Sequence, residues 1–210
     1  MSAINQIVSS IGNTTAAGTP FFLAVGVVAT DTNPVVPLPA THDTGDLLVI
    51  VASGNSNYTS PAGWSVGVNN TTNARMCLWY KIDNGGESDV SLTGGGAAAT
   101  AVMLSYRQVN ATPLDVNGVV ATASSGSATT TSLTTLTNNS LIISAFNIRS
   151  NGVTFTGTPA STNVRFNSGA ISTRPLLVVD EILTTAGAST TRTATLVSDT
   201  WQTYAISFKP

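Results

Sequence analysis

Gly45-Asp46-Leu47-Leu48-Val49-Ile50-Val51-Ala52-Ser53-Gly54 decides the fold class. Its apolar centre, residues 47–52, lies between a Gly-Asp pair and a Ser-Gly pair. The run is too short for a stable helix and rich in β-branched residues, so it reads as a strand. It has no polar face. Such a strand lies inside a sheet and is covered on both sides, by the facing sheet and by a loop, an arm or a partner. Leu176-Leu177-Val178-Val179 repeats the pattern.

Working outward, the same chemistry recurs along nearly the whole chain. Clear strand runs fall at residues 21–30, 46–53, 75–82, 98–108, 140–148, 176–183, 191–197 and 201–208, separated by Gly, Asn, Ser and Pro clusters. Weaker ones fall at 64–68, 90–93, 116–120, 132–136, 153–156 and 163–166. In 75–82 the set Met76, Leu78, Tyr80, Ile82 faces one way and the mixed set Arg75, Cys77, Trp79, Lys81 the other. That alternation predicts a half-exposed antiparallel strand, and 201–208 repeats it. Asn84-Gly85-Gly86 supplies the positive φ of a tight hairpin. Gly94-Gly95-Gly96 reads as a flexible lead into a strand, and 121–131, rich in Ala, Ser, Gly and Thr, as a mobile loop or a flat edge strand. No fixed repeat appears, which excludes a solenoid or propeller. The expectation is an all-β antiparallel sandwich, jelly-roll-like, at 21–210, behind a short N-terminal arm at 1–20.

The 210 residues suit one domain of this class. A chain this long buries enough surface to need neither disulfides nor metal, and its single cysteine, Cys77, can form no internal bridge. Charged residues are 9% of the chain, and the only lysines are Lys81 and Lys209. Thr, Ser, Asn and Gly must therefore make the polar surface, which costs far less to desolvate than an ionic one. A net charge of −2 without a basic stripe argues against nucleic acid. No apolar run approaches the ~20 residues of a membrane-spanning helix. The N-terminus lacks the basic and apolar parts of a secretion signal, so the protein is expected to be made in a cytoplasm and to leave it, if at all, by another route, for example as part of an assembled particle. The exception to the strand pattern is Ile4, Ile7, Val8 and Ile11, spaced for one stripe of a short amphipathic helix and compatible with an extended arm. That stripe is the candidate interface, on its own domain or on a neighbour.

Catalytic constellations are sparse. His42 is the only histidine, in the polar turn Thr41-His42-Asp43-Thr44-Gly45-Asp46, where Asp and Gly serve the backbone. Asp180-Glu181 is an adjacent carboxylate pair, but strand neighbours point to opposite faces and cannot clamp one bond. A salt bridge or an edge charge is the expected role. His42, Asp43 and Asp46 lack the spacing of a calcium loop, and the Gly94–Gly96 run lacks the Lys-Ser/Thr of a phosphate loop. The expectation is therefore no enzyme, no cofactor and no metal. A carbohydrate site is the alternative chemistry, with Asn55, Asn57, Tyr58 and Trp64 gathered in and beside one polar loop. Against it, Trp64 opens a strand and can plug the sandwich end, while Trp79 and Trp201 sit within strands as core or subunit contacts.

Several segments, in order, resemble a family of β-sandwich modules found in phage virion and tail proteins. They are Gly45-Asp46-Leu47-Leu48-Val49, Pro61-Ala62-Gly63-Trp64, Leu78-Trp79-Tyr80-Lys81-Ile82, Ser105-Tyr106-Arg107 followed by Pro113-Leu114-Asp115, Asp180-Glu181-Ile182, and Trp201-Gln202-Thr203-Tyr204-Ala205-Ile206. The likeness runs from about Phe22 to the C-terminus. It implies a virion structural protein with no catalytic residues to carry over. A sandwich preceded only by a short arm suits a capsid decoration (cement) protein. Such a protein would bind the major capsid protein between capsomers on the capsid exterior, as a homotrimer, without nucleic acid or membrane. The alternative it implies is a carbohydrate-binding adhesin or receptor-binding protein of a phage tail, with surface glycans as partners.

Overall fold

The computed structural model describes residues 18–69, 76–96, 98–169 and 174–210. Among them there is no helix, and the strands in chain order are β1 (Phe21–Val25), β2 (Val35–Val36), β3 (Leu47–Ser53), β4 (Ser65–Asn69), β5 (Met76–Ile82), β6 (Val90–Ser91), β7 (Thr100–Arg107), β8 (Leu114–Asn117), β9 (Ala121–Thr129), β10 (Ser140–Ile148), β11 (Phe155–Gly157), β12 (Asn163–Asn167), β13 (Leu176–Leu183) and β14 (Thr193–Phe208). One sheet has the order β1-β7-β3-β5-β4 and the other β11-β14-β10-β13-β12, with β8 and β9 also paired to β14. All these pairings are antiparallel. The chain is an all-β sandwich, as its apolar periodicity requires.

The two sheets meet through alternate residues. Leu47, Val49 and Val51 of β3 and Leu78 and Tyr80 of β5 pack against Leu141 and Ile143 of β10, Val178 of β13 and Ile206 and Phe208 of β14. Tyr80 meets Phe208 edge-on at 5.1 Å, and the Tyr204 hydroxyl donates to the Gly67 carbonyl at 2.8 Å, bridging β14 and β4. The one-residue alternation places Leu48, Ile50 and Ala52 on the outer side of the first sheet, with Trp79 and Met103. Val36, Tyr58 and Leu92 cover them there. The cover belongs to the same chain: the small β2–β6 sheet and the loop after β3.

The second sheet is covered by its own longest strand. The second half of β14 pairs with β10 from Trp201 to Phe208. Its first half pairs with β9, and the register shifts where Thr195 and Asp199 oppose Ser127 and Ser125. Gly126 sits at that break. Beyond it the β9–β14 ribbon folds back, so that Ala128, Ala194 and Leu196 pack on Phe146, Ile148, Leu177 and Val179. Two polar ties hold the flap: the Thr203 hydroxyl donates to the Thr129 carbonyl at 2.9 Å, and Arg192 Nε donates to Glu181 at 2.7 Å. Leu133 closes over Ile142 and Ala205 nearby. Both sheets are thus clad on their outer faces, and all residues of β3 and β10 are buried.

The structure corrects three expectations. On the outward face of β5 Cys77 and Trp79 are buried and Lys81 half-buried, and β14 is buried throughout from Trp201 to Phe208, so neither is a half-exposed strand. The hydroxyls of Thr203 and Ser207 made that face look solvated, but Ser207 bonds to Asp115 at 3.3 Å and Thr203 to the flap. Of the two readings of 121–131, the edge strand holds: residues 121–129 form β9, paired with β14 alone, and their small uncharged side chains let the ribbon fold flat on the sheet. The runs 191–197 and 201–208 are one strand, while 132–136 contributes an isolated bridge at Thr134. Gly94, Gly95 and Gly96 are packed, not a flexible lead. All three have positive φ, and a Cβ on Gly95 would stand 2.5 Å from the Tyr58 ring.

Candidate functional site

The loop between β3 and β4 carries the candidate sugar residues, and the fold does not gather them on one face. Tyr58 is 4% exposed. Its ring stands edge-on to Trp79 at 5.8 Å and its hydroxyl donates to the Ser53 carbonyl at 3.0 Å. Burial, with a contribution from Cys77, pushes that hydroxyl well above the ordinary tyrosine range. Tyr58 therefore offers no ring face for a sugar to stack on. Asn55 is half-buried, with its amide N–H donating to the Gly95 carbonyl at 2.7 Å, and Asn57 is exposed. Trp64 lies apart from these, half-buried against the outer cluster, with the Lys81 ammonium 5.8 Å from its ring centre. Trp79 and Trp201 are core residues at 0% and 6% exposure.

Next to Trp64 a cleft of about 220 Å³ opens between the ends of β4 and β5 and the segment leading into β8. Ser65, Tyr80, Lys81 and Asn84 supply its polar groups, Ile82 and Pro113 its apolar surface. Its members are brought together from three segments, which is why spacing along the chain did not single it out. The visible signal was the Asn84-Gly85-Gly86 turn, whose glycines have φ of 82° and 72°.

A second polar cluster fastens the turn before β3, at the same end of the first sheet as the cleft. His42 Nδ1 and Asp83 lie 2.6 Å apart, and Asp83 also accepts from the Gly85 amide at 2.7 Å. Arg107 Nε and Nη2 each reach Asp46 at 2.8 Å, and Nη2 also bonds Asp43. Asp46 further accepts from the Asp43 amide at 2.7 Å. These bonds tie the turn before β3 to the ends of β5 and β7. His42 has an orienting carboxylate, yet no hydroxyl or thiol is bonded to its other ring nitrogen among the described residues. No group of three or more His, Cys, Asp or Glu among those residues could hold a metal ion.

Asp180 and Glu181 point to opposite faces, as strand neighbours must. Asp180 pairs with Arg165 at 2.7 Å on the inner side, and Glu181 pairs with Arg192 on the outer side. Together with Lys81–Glu87, Arg107–Asp43, Arg107–Asp46 and His42–Asp83, six of the ten carboxylates face a basic side chain. Asp89 accepts the Leu38 amide and Asp115 the Leu136 amide. Asp31 and Asp199 accept the Thr32 and Thr200 amides. Of the large exposed apolar side chains, Phe21, Val25 and Val27 fall together in and just after β1, while Val119, Leu136 and Val197 lie on other segments. The candidate interface Ile4, Ile7, Val8 and Ile11 lies outside the described residues.

Comparison with family models, with curated proteins and with solved structures returns no match.

Proposed function

We propose that the chain is a structural protein of a bacteriophage virion, a decoration protein that binds the major capsid protein between capsomers on the capsid exterior. Jelly-roll winding and a trimeric state belong to the same reading. The observation that carries it is the internal use of charge: six of the ten carboxylates stand in ion pairs and the other four accept backbone amides of the chain itself. The outer surface is left to hydroxyls, amides and scattered small apolar groups, which desolvate cheaply over a wide contact. Sheets clad on both faces by their own chain give such a surface a rigid base. The resemblance from Phe22 to the C-terminus points the same way.

The test is co-expression with the major capsid protein from the same genome, followed by electron microscopy of the particles. Density for the sandwich at local three-fold positions supports the proposal; particles that never carry the protein overturn it. Deleting residues 1–12 separates the arm's role. If Ile4, Ile7, Val8 and Ile11 dock on the lattice, the truncated protein melts as before but no longer pellets with capsids. If they pack on their own sandwich, the melting temperature drops by several degrees.

A further inference from the structure

The cleft beside Trp64 has the dimensions and the chemistry of a small binding site. Its volume of about 220 Å³ is below the ~300–1,000 Å³ of sites for drug-sized ligands, so it admits one ring and no oligomer. Lys81 is the only cationic residue lining it, and its ammonium is held 2.8 Å from the Glu87 carboxylate. No carboxylate lines the cleft. An anion would find no uncommitted positive charge there, and a cation no uncommitted negative one. What remains is neutral hydrogen-bonding capacity: the Asn84 side-chain amide, the sites left on the Ser65 and Tyr80 hydroxyls beyond the bond they make to each other, and the rim ion pair. Ile82, Ala111 and Pro113 add apolar surface on the same wall. A ring with hydroxyls around its edge and C–H groups on its face matches that combination.

We propose that this cleft binds a single neutral sugar residue, held by Ser65, Tyr80 and Asn84 with Pro113 and Ile82 against its C–H face. The ligand site then includes the neighbourhood of Trp64 and leaves out Asn55, Asn57 and Tyr58. Binding is shallow and the affinity millimolar, since the site is open and offers few hydrogen bonds.

The experiment is a titration of the full-length, ¹⁵N-labelled protein with D-glucose, D-galactose, D-mannose and N-acetyl-D-glucosamine, with inorganic phosphate as the charged control. Saturable shifts confined to the amides of Gly63, Ser65, Lys81 and Asn84, for at least one sugar, are expected. Ser65→Ala and Asn84→Ala should each weaken that sugar by about fivefold, the value of one net hydrogen bond, with the melting temperature of the exposed Asn84→Ala variant unchanged. Four outcomes overturn the proposal: no saturable shift with any of the sugars, shifts centred on Asn55–Asn57, unchanged affinity in both variants, or phosphate binding more tightly than every sugar. None involves capsids, so the site and the particle reading fail separately.

Discussion

Tyr58 illustrates how one side chain can be misassigned from its neighbours in the chain. Asn55, Ser56, Asn57 and Thr59 surround it with polar groups, yet its ring is turned inward to lie against Trp79, and its hydroxyl is consumed by the Ser53 carbonyl. The Gly94–Gly96 run makes room for it. A Cβ at Gly95 would meet the Tyr58 ring, and the backbone there has φ of 78°. Gly95→Ala should therefore destabilise the domain by about 2 kcal/mol, through left-handed strain and contact with the ring together. Tyr58→Ala should cost about 3–5 kcal/mol, as for other buried aromatics. Chemical denaturation measures both. A Tyr58→Ala protein as stable as the wild type would mean that the ring is not part of the outer core. Arg165→Ala belongs to the same scale. Asp180 is 3% exposed, so removing Arg165 leaves a buried carboxylate without its counter-charge, held only by hydrogen bonds from Asn163 and Tyr106, and a loss of about 2–3 kcal/mol is expected.

At the scale of elements, the sandwich was legible and its cladding was not. The apolar centres of β3, β10 and β13 announce themselves, and the predicted limits of the last two match the observed strands. Apolar runs without a polar face required a cover, but periodicity does not say which segment supplies it. The β9 sequence, Ala-Thr-Ala-Ser-Ser-Gly-Ser-Ala-Thr, carries no large apolar residue, so its contacts are legible only after Ala128 is seen against Phe146. The cleft beside Trp64 was hidden for a related reason, since its walls come from segments distant in the chain. The cladding account predicts that Ala194→Asp, which puts an unpaired charge under the flap, destabilises by more than about 3 kcal/mol. Hydrogen exchange should show Ala145 and Phe146 amides losing protection together with those of β9. Faster exchange in β9 alone, with β10 unchanged, would mean that the flap opens independently and is not part of the cooperative fold.

For the whole molecule, two properties follow from burial and charge taken together. The hydroxyls of Tyr58, Tyr106 and Tyr204 are all raised above the ordinary range, chiefly by burial. Unfolded tyrosines titrate near pH 10, whereas these hold their protons to higher pH. The unfolded state therefore binds fewer protons above pH 10, and stability falls as pH rises. The slope is about 1.4 kcal/mol per pH unit for each tyrosine so held. Urea midpoints should be flat from pH 8 to about 9.5 and drop steeply beyond pH 10. A midpoint unchanged at pH 11 would contradict the burial of these hydroxyls.

The second property bears on function. A surface whose charges are spent on internal pairs binds through neutral contacts, and neutral contacts are not screened by salt. The direct measurement is co-sedimentation of the full chain with capsids of the same genome at about 50 mM and about 500 mM salt, conditions between which the screening length shortens severalfold. Saturable binding whose affinity differs by less than about threefold between the two is the predicted result. Absence of binding, or a loss of tenfold or more at high salt, would contradict a neutral docking surface on the capsid.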